Sequence, residues 1–303
     1  MKIAVAVDLS IESHFAIRWA LALREQARRR DLPVELLAIT VPSDVQRFKY
    51  RSLAGYPTDT TKSPGIRHWI SHHVREFLEA VDDDVDDVEI VLREGEAADV
   101  IAAYCAEADI DWLVTGMNSA DAFSRFVLGS TVHELRDIVP CNLVVVHPEH
   151  HELDGNFDIA TGIDFLPGSD AALFAAAELA DLTAAHLHLV HALQDAPTGS
   201  TRAGSLSSLD ATDIAYLTND ARQSLEALME EVERVRPDLE YSTLVHSGPA
   251  RRVFMEFIDE HAIDAVFLGR TQHSTLEKWL AQSLSQFLLK HMPTTLVLVP
   301  KHE

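Results

Sequence analysis

Two glycines frame the residues best suited to hold an anion. Gly116 leaves an apolar run, Trp112 to Thr115, that reads as a buried strand. Gly129 opens Gly129-Ser130-Thr131, just ahead of the helical pattern Val132-His133-Glu134-Leu135. Such a pair suits phosphate chemistry. Backbone N–H groups at a helix start are unpaired, and the helix dipole favours negative charge there. The hydroxyls of Ser130 and Thr131 could cap the helix and also donate to phosphate oxygens. The bare pattern fits two structures, a phosphate loop or an ordinary strand–loop–helix connection with a serine cap.

The elements that must position these residues form a repeat. Residues 3–8 read Ile-Ala-Val-Ala-Val-Asp, and residues 159–164 read Ile-Ala-Thr-Gly-Ile-Asp. Each is followed five residues later by a serine, Ser13 and Ser169, an offset of 156. Further on the offset is 153, pairing Gly95 with Gly248, Gly116 with Gly269, Ser130 with Ser283 and Pro140 with Pro293. A regular offset over separate landmarks signals a duplicated domain, with the length change expected in the variable middle. Domains are expected at 1–148 and 157–303, joined by a linker at 149–156.

Each half alternates strand and helix. In the first, strands are expected near 2–7, 34–41, 87–92, 111–116 and 142–147, with helices near 13–29, 65–80, 96–107 and 130–138. In the second, strands are expected near 158–163, 186–191, 240–245, 264–268 and 295–299, with helices near 169–182, 209–235, 249–261 and 283–291. Val-, Ile- and Leu-rich strands without alternation are buried on both faces. The fold class is therefore α/β, two doubly wound parallel sheets of five strands each, with right-handed crossovers. Ligands of such sheets bind at the carboxyl ends of the strands. Trp19, Trp69, Phe77 and Ile101 read as core. The acidic run Asp82–Asp87 reads as a solvated turn, and His147, His150 and His151 as a solvated linker without metal.

Composition narrows the function. The chain has 303 residues, 47% of them hydrophobic, and a formal net charge of −23. An acidic surface repels nucleic acid and anionic membranes, so neither is expected as a partner. Few lysines beside excess Asp and Glu also suit a protein working in high salt. No apolar run reaches the ~18–20 residues of a membrane helix. The N-terminus lacks a secretory pattern, so a cytoplasmic location is expected. Only Cys105 and Cys141 are present, which argues against a disulfide scaffold or a cysteine zinc site. No catalytic set is visible, so the chain is not expected to be an enzyme.

The stretch from Gly116 to Ser130 resembles the nucleotide loop of the universal stress protein (UspA-like) family. ATP-binding members carry Gly, two residues, Gly, nine residues, Gly, then Ser or Thr. Here Gly116, Gly129 and Ser130 match, and Ser119 stands at the second glycine. Phe123-Ser124-Arg125-Phe126-Val127-Leu128-Gly129-Ser130 also resembles the family's Leu-Glu-Arg-Leu-Leu-Leu-Gly-Ser. The resemblance covers both halves except 43–64 and 195–208. It implies strand order 3-2-1-4-5 and a pseudo-dimer in which 143–146 and 296–299 pair. It further implies ATP, with or without Mg²⁺, in the first half. Asp8 would contact base or ribose and the Val41 backbone would read adenine. Gly116 and Met117 would line ribose and phosphate, with Gly129, Ser130 and Thr131 on the phosphates.

Ser119 adds a Cβ where a glycine would let backbone approach phosphate, costing on the order of 1 kcal/mol if left-handed backbone is needed. The second half keeps Asp164 and Gly269 but has Gln272 and Gln282 at the later glycine positions. No nucleotide, or a different ligand, is expected there. The implied function is ATP-dependent stress adaptation, with any hydrolysis or autophosphorylation slow and incidental. The alternative is a nucleotide-free scaffold that binds a protein partner. Homodimerisation is left open.

Overall fold

Apolar runs punctuated by polar turns become parallel strands, and the amphipathic stretches between them become the crossovers. The computed structural model describes residues 1–42, 64–117, 129–149, 153, 157–193, 210–270, 284–291 and 293–300. The chain divides into two units, Met1–Glu152 and Leu153–Glu303.

The first unit runs β1 (Lys2–Ala6), α1 (Ile11–Arg29), β2 (Glu35–Thr40), α2 (Pro64–Val81), β3 (Glu89–Leu92), α3 (Ala97–Glu107), β4 (Trp112–Gly116), α4 (Ser130–Ile138) and β5 (Asn142–Val146). The second runs β6 (Asp158–Gly162), α5 (Pro167–Thr183), β7 (His186–Leu193), α6 (Ala211–Glu233), β8 (Tyr241–Ser247), α7 (Ala250–His261), β9 (Ala265–Gly269), α8 (Leu284–His291) and β10 (Thr295–Val299). Strand order within the first unit is β3-β2-β1-β4-β5, and within the second β8-β7-β6-β9-β10. Both are the expected 3-2-1-4-5, and neighbouring strands within each unit run parallel.

Strands β1, β4 and β9 are apolar and buried through their middles, whereas β7 alternates histidines with buried leucines. Ile3, Ala4, Leu113, Val114, Leu143 and Val144 are sealed from solvent in the first unit, as are Ile159, Ala160, Val266 and Phe267 in the second. Trp19 of α1 and Trp112 of β4 are both buried, with ring centroids 6.5 Å apart. Burying such side chains stabilises by roughly 1.5–3 kcal/mol each. Ile101 is buried as expected, whereas Trp69 and Phe77 lie half-exposed on α2.

The backbone repeats more faithfully than the side chains do. Non-glycine residues adopt left-handed φ at Leu9 and Phe165, at Asp31 and Ala184, and at Asp109 and Ala262. Gly95 and Gly248 both have positive φ, 138° and 143°, in the turns entering α3 and α7. These pairs locate the length change. Ile3 pairs with Leu36, 33 residues on, whereas Ile159 pairs with Leu187, 28 residues on. Leu37 pairs with Glu89, 52 residues on, against 54 from Leu187 to Tyr241. The second unit therefore loses five residues over α5 and its exit turn and regains two in the variable middle, so the length change is split and not confined to the middle. A helix can lose residues at its exposed end without disturbing the strands that it joins.

The acidic run is also not simply solvated. Arg24, 2% exposed, reaches Asp87 at 2.6 Å and Asp84 at 2.8 Å, and Arg28 reaches Asp84 at 2.9 Å and Asp87 at 2.5 Å. Arg24 also donates to the Asp84 carbonyl, and Arg75 of α2 donates to the carbonyl of Val88 at 2.7 Å. The turn is thus a docking loop for α1 and α2. Guanidinium forks suit this task because they carry several donors in a fixed plane. His147 is buried rather than solvated, its Nδ1 accepting from the Glu149 N–H at 3.2 Å.

Candidate functional site

The site residues gather where β1, β2 and β4 end. Strand β1 lies between β2 and β4, so crossovers leave it in opposite directions, which opens a crevice at the carboxyl edge. Asp8 follows β1, Val41 follows β2, and Gly116 and Met117 close β4. Helix α4, the crossover from β4, begins on the same side with Gly129 at its N-cap, followed by Ser130 and Thr131. The structure therefore brings seven of the eight expected residues to one edge. Ser119 lies outside the described residues, as do Arg125, Gln272, Gln282, Ser283 and the loops 43–63 and 194–209.

Asp8 is exposed but has structural work. Its Oδ1 accepts from the Ser13 hydroxyl at 2.6 Å and from the Ser10 N–H at 3.0 Å, while its own N–H donates to Ser13 Oγ at 3.1 Å. Ser10 caps α1, its Oγ accepting from the Ser13 N–H at 3.2 Å. Leu9, at φ 62°, turns the chain between them. Asp8 thus anchors the first turn of α1, and the spacing Asp-x-Ser-x-x-Ser was the available signal for it.

Gly116 owes its identity to packing. A methyl group there would overlap the backbone carbonyl of Glu12, in the first turn of α1. At Gly269 the same group would overlap the carbonyl of Gly168 in the first turn of α5. The two glycines let β4 and β9 seat against the first turn of a crossover helix. Both units need this whatever they bind, so the glycine does not by itself mark a phosphate site. Met117, just beyond, is 7% exposed and belongs mainly to the core.

Helix α4 starts without the polar cap of α1. Gly129 has φ −62° and ψ 147°, ordinary extended backbone. No side chain among the described residues caps the helix, and its first turn carries no acidic residue. Gly129, and not Ser130 or Thr131, holds the N-cap position, so neither expected hydroxyl stands as the cap. Helix α1, by contrast, has the Ser10 cap and Glu12 in its first turn; α3 also lacks a side-chain cap but carries Asp99, and α7 of the second unit has neither. An uncapped first turn leaves N–H groups and the positive end of the dipole to be met from outside the helix.

The second unit is built differently at the matching edge. Asp164 Oδ1 accepts from the Leu166 N–H at 2.9 Å, but Ser169 Oγ donates to the Leu166 carbonyl at 2.9 Å instead of to the aspartate. Phe165 packs against His191, ring centroids 4.7 Å apart, and Phe165 and Leu166 are 39% and 53% exposed. The polar anchor of the first unit is replaced by an apolar lip.

The profile of the Universal stress protein family matches residues 1–147 and again residues 157–300. The chain belongs to that family, as a tandem of two such domains. A Staphylococcus aureus protein named for the family is 27% identical over 162 residues, spanning 53% of this chain and 92% of its own length. A universal stress protein from Archaeoglobus fulgidus has a similar fold at TM-score 0.63 and 15% identity, covering 99% of this chain and 98% of that one. A Pseudomonas aeruginosa protein carrying the family name aligns at TM-score 0.61 and 11% identity, covering 99% of this chain and 92% of that one. No helix among the described residues is long and apolar enough to cross a membrane.

Proposed function

We propose that the first unit binds ATP at its carboxyl edge and serves as the nucleotide-responsive half of a stress-adaptation protein. The acid-free first turn of α4, on the same edge of the sheet as the ends of β1 and β4, carries this reading. A phosphate there would accept from backbone N–H groups and meet the positive end of the helix dipole, worth roughly 0.3–2 kcal/mol before hydrogen bonds are counted. Ser130 and Thr131, whose hydroxyls do not cap the helix, would donate to phosphate oxygens. Asp8 would accept from a ribose hydroxyl, and the backbone at Val41 would read the base. A Mg²⁺ ion bound with the nucleotide would offset phosphate charge against the acidic chain. No turnover is expected of this reading, in which the nucleotide is a signal and not a substrate.

The test is to extract purified protein for retained nucleotide and to titrate the stripped protein with ATP to millimolar concentration. Retention or saturable binding that is lost in Gly129→Trp supports the proposal. Absence of both ends it. In that event a second reading takes its place, a scaffold that recognises a protein partner. The exposed Phe165 and Leu166 at the equivalent edge of the second unit favour that alternative.

A further inference from the structure

At the amino edge of the second unit's sheet, far along the strands from its ligand edge, three histidines meet. His188 of β7 is 14% exposed at its side chain, and its Nε2 lies 3.1 Å from Asp158 Oδ1 of β6. Its Nδ1 lies 2.8 Å from Ser242 Oγ of β8. The ring centroid of His186 is 4.5 Å away on the same strand, and that of His261, in the last turn of α7, is 5.8 Å away. Phe257 of α7 sits edge-on to His188 at 5.4 Å and stacks on His261 at 4.2 Å. We infer that His186, His188 and His261 form an acid-released latch that holds α7 on the sheet while the rings are neutral and loosens it when they are protonated.

The hydrogen bonds fix the neutral form. A carboxylate only accepts, so Nε2 of His188 carries the proton toward Asp158, and Nδ1 accepts from the Ser242 hydroxyl. The surroundings of His188 then oppose a second proton. From β6 comes one carboxylate, Asp158, from β7 comes His186, from α7 come His261 and the apolar Phe257, and from β8 an uncharged hydroxyl. A single carboxylate offsets one imidazolium, not two or three within 4.5–5.8 Å.

The titration of His188 agrees in direction. Its pKa lies below the ordinary 6.5, chiefly through burial, with Asp158 opposing and His186 and His261 assisting. A histidine whose folded pKa is depressed binds fewer protons folded than unfolded. The stability it lends is complete above about 6.5 and is lost as pH falls through that value toward the folded pKa. In the first unit Glu35, Leu37 and Ala108 hold the positions of His186, His188 and His261, judged from strand register and from the left-handed residue after each helix. Helix α3 is therefore a built-in control.

The experiment is hydrogen exchange of the full chain at pH 7.5 and 5.5, with labelling times scaled for the intrinsic rate. Peptides over Ala250–His261 are compared with peptides over Ala97–Glu107. Protection of α7 is expected to fall by at least about threefold more than that of α3, in line with sub-global opening. The double variant His188→Gln, His261→Gln should bring the two helices level. Equal losses in the wild type, or an undiminished loss in the variant, would overturn the latch. If the variant unfolds at pH 7.5, NMR titration of wild-type His188 decides. A midpoint below 6.5 supports the inference, and one at or above 6.5 refutes it.

Discussion

The two units share a backbone and differ at both edges of their sheets. At the carboxyl edge the first has the Asp8–Ser10–Ser13 network, while the second has Asp164 beside exposed Phe165 and Leu166. At the amino edge the first has a cavity of about 200 Å³ lined by Val34, Glu35, Leu36, Leu37, Asp87 and Glu89, whereas the second has the histidine cluster. What persists is geometric: paired left-handed residues, the turn glycines Gly95 and Gly248, and the packed glycines Gly116 and Gly269. Duplication has kept the constraints that close the fold and released the chemistry at the rims.

The largest effect should come from testing the shared part. Gly116→Val and Gly269→Val each push a side chain into helix backbone that cannot rotate away, and each should destabilise its own unit by about 3 kcal/mol. Urea melts followed by exchange of each unit's peptides would measure this. A Gly116→Val protein of normal stability that fails only in binding would make the glycine a ligand device after all. Next comes Arg24→Ala, which strips a buried guanidinium from Asp84 and Asp87 and should cost the first unit about 2 kcal/mol, discounted because both carboxylates are more than half exposed. The second unit buries Ala177 at the matching turn of α5, so its peptides should be unaffected.

Smaller effects sharpen the difference in ligand chemistry. Asp8→Asn should weaken ATP by roughly threefold to tenfold, the worth of one hydrogen bond to a charged group after compensation, while Asp164→Asn should change nothing. Equal losses would place the nucleotide in both units. The least perturbing measurement is thiol labelling. Cys105 and Cys141 are both buried, and a hydrogen bond to Cys141 together with burial holds the Cys105 thiol well above the ordinary range. Neither should react with iodoacetamide at pH 8 until denaturant is added. Rapid labelling of native protein would show that α3 opens readily.

Much of the architecture was legible in the residues. Unbroken runs such as Leu143–Val146 announced strands buried on two faces, and the strand boundaries fall within two residues of those expected. The strand order came from family resemblance, because nothing in a run such as Lys2–Ala6 names its neighbours. Other features depend on tertiary approach and leave no local trace. Asp84 and Asp87 look like any charged turn until Arg24 arrives from sixty residues upstream. Gly116 reads as a phosphate glycine because its contact with Glu12 is invisible in one dimension. The length change read as one three-residue step because matching residues near the ends of each half concealed five residues lost around α5 and two regained after β7. His186, His188 and His261 attracted no notice, since strand register and a distant helix end bring them together.

Helix α1 has a mechanical consequence of its own. Its first turn is tied to Asp8 through Ser13 and rests on Gly116, and eleven residues further along Arg24 hooks the Asp84–Asp87 turn. That span is about 16 Å of rigid rod. A molecule that drew the Asp8 carboxylate toward itself would pull on one end of a lever whose other end grips the opposite rim of the sheet. Occupancy at the top would be registered at the bottom as a tug on two arginines, with no strand having to slide.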